Sequence, residues 1–339
     1  MELTAVHHNK NLKPLNNHIQ PQENIEPLEP QRISKKTPFI ESNTQAVSFE
    51  HLKNDCIIPS FAKDLESTIA HFEFIETVCS VAQSVYSDTE ILVPEIRVSH
   101  QIKGRIPSAI GKPVKELKDH EKTQYWERMA FVVEVPSITT YINGQELKLT
   151  IGGVRSYSEQ NLYSKKSIEK FKVFIGFKNM VCTNLCVNTD GLMDDLRVSS
   201  IDQLRNGALE LIQNYSQQEH IEQMQQFLEY NMSENQFAHL IGKMKLYHCI
   251  DKSKKTGLFN LKLMDSQISN VVKDYVEDDN FKCEIDGSIN LWNLYNLFTN
   301  SAKSNYIDNF LNRNCNSHEF TNHIKNKLKS QSEDFYVFI

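Results

Sequence analysis

Residues 128–191 read RMAFVVEVPSITTYINGQELKLTIGGVRSYSEQNLYSKKSIEKFKVFIGFKNMVCTNLCVNTDG, and this stretch decides the fold. Asn143-Gly144 is its strongest turn signal, because a type I′ hairpin needs positive φ at both central residues. Apolar residues alternate with polar ones after that turn, and in FKVFIGF at residues 171–177 one face carries four apolar residues and the other carries Lys172, Phe174 and Gly176. Gly152-Gly153 indicates a bulge or a close backbone approach. The stretch therefore predicts a twisted antiparallel sheet from about residue 128 to 190.

The segments before the sheet predict helices and a loop. Apolar residues recur at three- and four-residue steps over residues 61–86, which is typical of an amphipathic helix. Prolines and glycines between residues 94 and 113 predict a long loop that includes residues 95–105. Pro113 fits the first position of a short helix that would end near Arg128.

The chain after residue 200 predicts a succession of helices. Ser233 and Gln236 have capping-box spacing at the start of one of them. The final DFYVFI predicts a terminal strand added to the sheet. The fold class is therefore α+β, a central twisted antiparallel sheet with N-terminal helices and a helical C-terminal half.

Three regions follow from this pattern. Residues 1–45 are polar and contain five prolines, which predicts a disordered tail. Residues 46–199 form the predicted α+β sheet domain, and residues 200–339 form a mainly helical region packed on it. Seven cysteines, no secretory signal and no long apolar run favour a cytoplasmic protein with free thiols and no membrane partner.

The charge of the chain is unevenly distributed. Its net charge is −6, yet residues 97–178 hold 15 Lys and Arg against 8 Asp and Glu, or +7, so the rest sums to −13. Basic groups beside aromatic rings on a sheet suit single-stranded nucleic acid, because bases stack on rings while cations meet phosphates. A solvated face offset by acidic helices is the alternative. The candidate nucleic-acid-binding residues are Arg97, Lys103, Arg105, Arg155, Lys165, Lys166, Lys170, Lys172 and Lys178.

Sites for metal or covalent chemistry are less favoured. Asp190, Asp194 and Asp195 follow the last predicted strand and could hold Mg²⁺, although a turn and a helix start explain them as well. Cys182 and Cys186 would lie about 13 Å apart on a strand, so they are predicted to be buried free thiols. The absence of phosphate-loop, nucleophile-elbow, zinc-protease and dinucleotide-binding motifs makes an enzyme the less favoured interpretation, and no cofactor is predicted.

Several long motifs resemble a known family. They are PEIRVSHQIKGR, KPVKEL followed by HEKT, YWERMAF, the run from NLYSKKSIEKF to TDG, and INLWNLYNLFT followed by YIDNFL. These are similar to Bacteroidetes proteins grouped as domain-of-unknown-function family 3871, from about residue 46 to the end, and more loosely to phage- and plasmid-like proteins of unknown function. The resemblance implies an accessory gene of a mobile element, and it implies no activity and no catalytic residue.

Three functions stay open at this point. The first is a mobile-element accessory protein that binds single-stranded DNA through the basic sheet face. The second is a metal-dependent nuclease or phosphoryl-transfer enzyme that uses the three aspartates. The third is a protein-interaction factor whose acidic helices contact a host or plasmid protein. The oligomeric state does not follow from the sequence.

Overall fold

A central antiparallel sheet organises the chain. The computed structural model describes residues 37–56, 68–159 and 168–330. The strands are β1 (Gln45–Ala46), β2 (Glu95–Arg105), β3 (Lys122–Ile142), β4 (Gln145–Ser156), β5 (Glu169–Asn179), β6 (Leu185–Cys186) and β7 (Leu192–Val198). They are hydrogen-bonded in the order β1-β2-β3-β4-β5-β6, and β7 pairs with β5 as well. Strand β5 therefore has β4 along one edge and both β6 and β7 along the other.

Helices precede and follow this sheet. They are α1 (Phe49–Asn54), α2 (His71–Val85), α3 (Ile201–Asn214), α4 (Gln217–Gln226), α5 (Glu234–Cys249), α6 (Asp265–Glu277), α7 (Leu291–Ala302) and α8 (Ile307–Lys329). Two further short strands, β8 (Asn231–Met232) and β9 (Ile289–Asn290), pair among the helices. The α+β class predicted from the sequence is confirmed. None of the helices in the described ranges is both long and apolar enough to cross a membrane.

The hairpin turn and the capping box form where the sequence predicts them. Asn143 has φ 51° and Gly144 has φ 73°, as a type I′ turn between β3 and β4 requires. The Ser233 side chain accepts the Gln236 backbone N–H, and the Gln236 side chain accepts the Ser233 backbone N–H. Local chemistry therefore determines both features without help from distant residues.

One face of the sheet carries the larger core. The side chain of Phe74 on α2 packs edge-on against Phe131 and Phe171, with ring centroids 5.2 Å and 4.8 Å away. Gly153 permits this contact, since a Cβ there would overlap the Phe74 ring and approach the Lys172 carbonyl oxygen. The predicted close approach at Gly152-Gly153 is therefore present, and it lets α2 lie directly on β4.

The opposite face of the sheet is also covered. Apolar residues of β3, β4 and β5 pack there against Phe39, Ile40 and the first turns of α8. The residues of this second core are Phe39, Ile40, Ala130, Val132, Val154, Phe174, Leu185, Val187, Ile307, Phe310 and Leu311. The middle of the sheet is thus buried on both faces, unlike a typical antiparallel sheet with one hydrated face.

Two local predictions are wrong. Residues 95–105 form β2 rather than a loop, and no helix runs from Pro113 to Arg128 because β3 begins at Lys122. Pairing with β3 overrides the proline and glycine signals, since Ile96 and Val98 add to the larger core. Tertiary packing decides such weakly marked segments.

The chain termini fall partly outside the described residues. Residues 1–36, most of the predicted tail, and the predicted terminal strand at 334–339 are not among them. The end of the predicted tail is packed, because Phe39 and Ile40 are buried and the Glu41 N–H donates to the Lys303 carbonyl oxygen. Isolated apolar residues among prolines carry no periodic signal, which explains the difference. The predicted division near residue 200 stays a prediction.

A buried ion pair holds α2 against the sheet. The Arg155 guanidinium on β4 contacts the Glu169 carboxylate on β5, and their side chains are 0% and 5% exposed. Arg155 also donates to the Ile69 carbonyl oxygen, and Glu169 accepts the Ile69 N–H, so the pair holds the backbone just before α2. The guanidinium lies over the rings of Tyr157 and Phe171.

We expect Glu169→Gln to destabilise the protein by about 3–5 kcal/mol, because it leaves the Arg155 charge buried without a partner. Adding Arg155→Met should recover part of this loss, since the double variant carries no buried charge while the introduced glutamine can still accept the Ile69 N–H. Urea unfolding of the two single variants and the double variant measures both effects. A double variant as unstable as the sum of the two single losses would contradict the interpretation.

Candidate functional site

The candidate cations of the sheet are held by internal partners. Lys178 Nζ donates to Glu95 Oε2 and Glu134 Oε1, both at 3.0 Å, and its side chain is 4% exposed. Burial lowers the pKa of Lys178, but the two carboxylates outweigh burial and raise it above its usual value. This lysine is charged, and Glu95 and Glu134 already balance its charge. It is therefore poorly placed to bind an external phosphate.

Lys172 and Lys170 are neutralised at the other end of β5. Lys172 Nζ donates to the Asp308 carbonyl oxygen at 2.6 Å and to Asn312 Oδ1 at 3.0 Å, both on α8. It also lies 3.5 Å from Glu159 and 3.4 Å from Asp194. Lys170 Nζ lies 3.0 Å from Glu159 and 3.6 Å from Asp195. Two of the three candidate metal ligands therefore serve as partners of lysines.

Four other candidate nucleic-acid-binding residues lie in the core, at the sheet edge or outside the described residues. Arg155 lies in the core, and Arg97 donates to the Thr44 hydroxyl and carbonyl oxygens at the sheet edge. Lys165 and Lys166 lie outside the described residues. Of the four aromatic rings predicted to stack with bases, Tyr157, Phe171 and Phe174 are buried, and Tyr163 lies outside the described residues. Within the described residues, the sheet therefore presents no basic, aromatic surface.

Lys103 and Arg105 lie on a different structure, a two-stranded ribbon. The last pairing between β3 and β4 joins Arg128 to Ser156, yet β2 and β3 remain paired from Gln101 with Trp126 to Arg105 with Lys122. We call residues 101–126, which include the connecting residues 106–121, the ribbon arm. His100 at its base has φ 58°, an uncommon conformation outside glycine, and it has no partner in the pairing of β2 with β3.

The ribbon arm is basic and largely exposed. Between residues 103 and 122 it holds six Lys and Arg and three Asp and Glu. Lys112 contacts Glu121, and Lys122 Nζ lies 2.8 Å from Asp119. Lys103, Lys115 and Lys118 are exposed, and no carboxylate of the described residues is within ion-pair distance of them. These three cations are therefore available to an external anion.

Apolar side chains project from the tip of the arm. Ile110 is 68% exposed and Val114 is 71% exposed, and Gly111 and Pro113 lie between them. Burying such side chains against a partner would be favourable, at about 25 cal/mol per Å² of apolar surface. Periodicity cannot reveal this tip, because its residues belong to no strand and to no helix longer than one turn.

The third candidate metal ligand, Asp190, lines a cavity of about 430 Å³ between α8 and the turn after β6. The lining residues are Asn188, Thr189, Asp190, Gln223, Phe259, His318, Glu319, Asn322, His323 and Asn326. Among the described residues, no three or more His, Cys, Asp or Glu side chains are placed to hold a metal ion. The three aspartates predicted as a metal site are therefore not brought together. The other lining residues come from four separate segments and carry no sequence motif.

The described cysteines are free thiols, as predicted for Cys182 and Cys186. Burial raises the pKa of Cys182 to about 11 despite the opposing effect of Lys303. Burial likewise raises the pKa of Cys186. Both thiols are therefore protonated at neutral pH and poorly suited to nucleophilic chemistry.

Among the described histidines, three are buried. His71 Nε2 donates to the Trp126 carbonyl oxygen at 2.8 Å, and burial, assisted by Arg155, lowers its pKa to about 3. Burial, assisted by Lys325, also lowers the pKa of His318 to about 3. Burial beside His318 lowers the pKa of His220 well below its usual value. All three are neutral in the folded protein.

Comparison with known proteins gives one positive result. No curated protein and no solved structure matches the chain. A family model matches residues 22–339, and its description reads "Domain of unknown function, B. Theta Gene description (DUF3871)". The match covers the sheet, the ribbon arm, the helices and the cavity.

The buried histidines predict acid sensitivity. Their pKa values are lower in the folded than in the unfolded state, so their contribution to stability is complete above about pH 6.5 and is lost as the pH falls toward 3. Lowering the pH from neutral to about 5 should cost about 2 kcal/mol for each of His71 and His318. Urea unfolding across this range measures the loss. In a plot of the free energy of unfolding against pH, His71→Gln should reduce the slope by the equivalent of one proton. His120→Gln, at an exposed position, is the matched control. An unchanged slope in His71→Gln would show that His71 is protonated in the folded state.

Proposed function

Because this chain belongs to that family, whose description assigns no activity, we propose from the geometry that it binds duplex nucleic acid through the ribbon arm. The observation that supports the proposal is the contrast between the arm and the sheet. The sheet lysines are paired with carboxylates, whereas Lys103, Lys115 and Lys118 on the arm are exposed and have no carboxylate partner in the described chain.

The dimensions of the arm suit a duplex groove. Two paired strands lie roughly 5 Å apart, and the major groove of B-form DNA admits a two-stranded ribbon. Lysines along the arm would contact phosphates on either side of the groove, while Ile110 and Val114 at the tip would contact base edges or thymine methyl groups. The lysines would therefore supply most of the affinity, and the tip would contact the floor of the groove.

The charge of the remaining chain favours binding by the arm alone. The net charge of −6 includes an excess of Asp and Glu outside residues 97–178, and these groups repel phosphates. A basic arm on an acidic body directs the nucleic acid toward the arm. An accessory role in a plasmid, phage or integrated element is part of the proposal on the strength of the sequence resemblance.

We expect a charge-reversed arm to lose affinity and salt dependence together. Lys103→Glu with Lys115→Glu and Lys118→Glu should flatten the plot of log K against log salt by roughly 2–3, because each phosphate contact contributes about 0.9 to the slope. Fluorescence anisotropy with labelled duplex and single-stranded oligonucleotides, at about 50–200 mM salt, measures this.

The matched control is Lys252→Glu with Lys254→Glu and Lys282→Glu, which changes the net charge equally at exposed positions outside the arm. This control should keep the wild-type slope. Equal losses in both triple variants would indicate a general effect of net charge, and no salt-dependent binding by the wild type would reject the function. Tighter binding of single strands than of duplexes would contradict the proposal and favour a site that includes Lys165 and Lys166.

A separate prediction concerns the tip of the ribbon arm. Ile110→Ser with Val114→Ser should weaken duplex binding and leave the salt slope unchanged, because the changes remove apolar contact but no charge. The same anisotropy titration measures it, and Val93→Ser, at a residue that is 87% exposed outside the arm, is the control. Wild-type affinity in the tip variant would show that the tip does not enter a groove.

A further inference from the structure

We propose that the cavity between α8 and the turn after β6 binds an uncharged, polyhydroxylated ligand the size of a mono- or disaccharide. Its volume of about 430 Å³ lies within the range of small-molecule pockets. Nine of its ten lining residues are polar, so the cavity is built for hydrogen bonding rather than for an apolar ligand. This site is separate from the ribbon arm and does not depend on nucleic-acid binding.

The amides of the cavity leave both donors and acceptors available. Asn188 is 5% exposed, and its Oδ1 accepts the Gly191 N–H at 3.0 Å, which leaves its Nδ2 group as a donor. Asn322 Nδ2 donates to His318 Nδ1 at 3.3 Å, which leaves its Oδ1 as an acceptor. The side chains of Gln223 and Asn326 have no hydrogen-bond partner within the described residues and carry one group of each kind.

His318 also lines the cavity, and its contact with Asn322 fixes the tautomer of its ring. With Nδ1 accepting from Asn322, the ring proton of the neutral imidazole lies on Nε2. That Nε2 is shielded from solvent, because the ring is 3% exposed and packs against Phe227 and Tyr295. The amides of the wall, rather than this imidazole, are therefore the groups that a ligand can reach. A mixed set of donors and acceptors matches hydroxyl groups, because each hydroxyl both donates and accepts.

The charge of the cavity excludes anionic ligands. Asp190 and Glu319 are its charged lining residues, and no Lys or Arg is among the ten described residues that line it. Phosphates and carboxylates would be repelled by the two carboxylates.

Cationic ligands are less favoured than neutral ones. Glu319 Oε1 already accepts from the Thr189 hydroxyl at 3.1 Å, and its Oε2 accepts from Asn316 Nδ2 at 3.4 Å. Asp190 is exposed, so solvent and salt screen its attraction for a cation. The two carboxylates therefore serve better as acceptors for hydroxyl groups than as counter-ions.

Phe259 supplies the apolar side that a sugar ring requires. Its ring is held between Phe320 and His323, with centroid distances of 4.9 Å and 5.3 Å, so it forms a fixed apolar surface in the cavity wall. A pyranose has polar edges and C–H-bearing faces, and a fixed aromatic ring can cover one of those faces. The combination of amides, carboxylates and one aromatic ring leads to the neutral sugar class.

Saturation-transfer NMR on the full chain tests the proposal. The neutral probes are methyl glycosides of glucose, galactose and N-acetylglucosamine, together with maltose. Spermidine and glucose 6-phosphate are the cationic and anionic probes. We expect at least one neutral sugar to bind and both charged probes to bind more weakly.

The variant Asp190→Ala with Asn326→Ala should weaken the binding of that sugar at least tenfold. Both residues are exposed, so the fold should persist. Asp279→Ala with Asn280→Ala removes the same two side-chain types at exposed positions outside the cavity and should leave binding unchanged. Failure of every neutral sugar to bind at millimolar concentration, stronger binding of a charged probe, or equal binding by the cavity variant would each overturn the proposal.

Discussion

Strand β5 imposes the constraint on which the rest of the structure depends. It has strands on both edges and cores on both faces, and ten of its eleven residues are buried. A charged group in such a place has to find its counter-charge inside the protein. Lys178 is paired with Glu95 on β2 and Glu134 on β3, and Lys172 is paired with Asp194 and the start of α8. These lysines tie the strands and α8 together.

This constraint also accounts for the charge distribution. The positive excess of residues 97–178 is partly neutralised by carboxylates of the sheet that lie outside that segment, namely Glu95 on β2 and Asp194 and Asp195 on β7. Among the described residues, Lys103, Lys115 and Lys118 have no carboxylate partner, and they lie on the ribbon arm, where β4 no longer accompanies β3. The cavity has no such cations among the described residues that line it. Its lining amides and carboxylates form only part of their possible hydrogen bonds with each other. The arm and the cavity thus differ in charge and in the class of ligand that each would accept.

The sequence predicted the fold class because its strongest signals are local. Asn143-Gly144 and the box at Ser233 need no tertiary information, and the alternation in β5 identifies a strand directly. The same alternation misled the functional prediction, because polar residues at every second position usually indicate hydrated strand surface. Only the contacts in the folded chain show that Lys172 is enclosed by α8 and Lys178 by Glu95 and Glu134. The cavity was beyond reach for a similar reason, since Asn188, Gln223 and His318 lie far apart in sequence.

The second core has a consequence for how the protein is synthesised. Much of its cover comes from Ile307, Phe310 and Leu311, more than a hundred residues after the strands that they cover, and only Phe39 and Ile40 precede those strands. On the ribosome, all strands of the sheet would be synthesised long before this part of α8. During that time the apolar side chains of Val132 and Phe174 would lack the cover that α8 provides. Exposed sheet surface of this kind attracts other chains, and contacts between distant residues form slowly. A chain that stalls before α8 would therefore be a client for chaperones, although every strand of its sheet has already been translated.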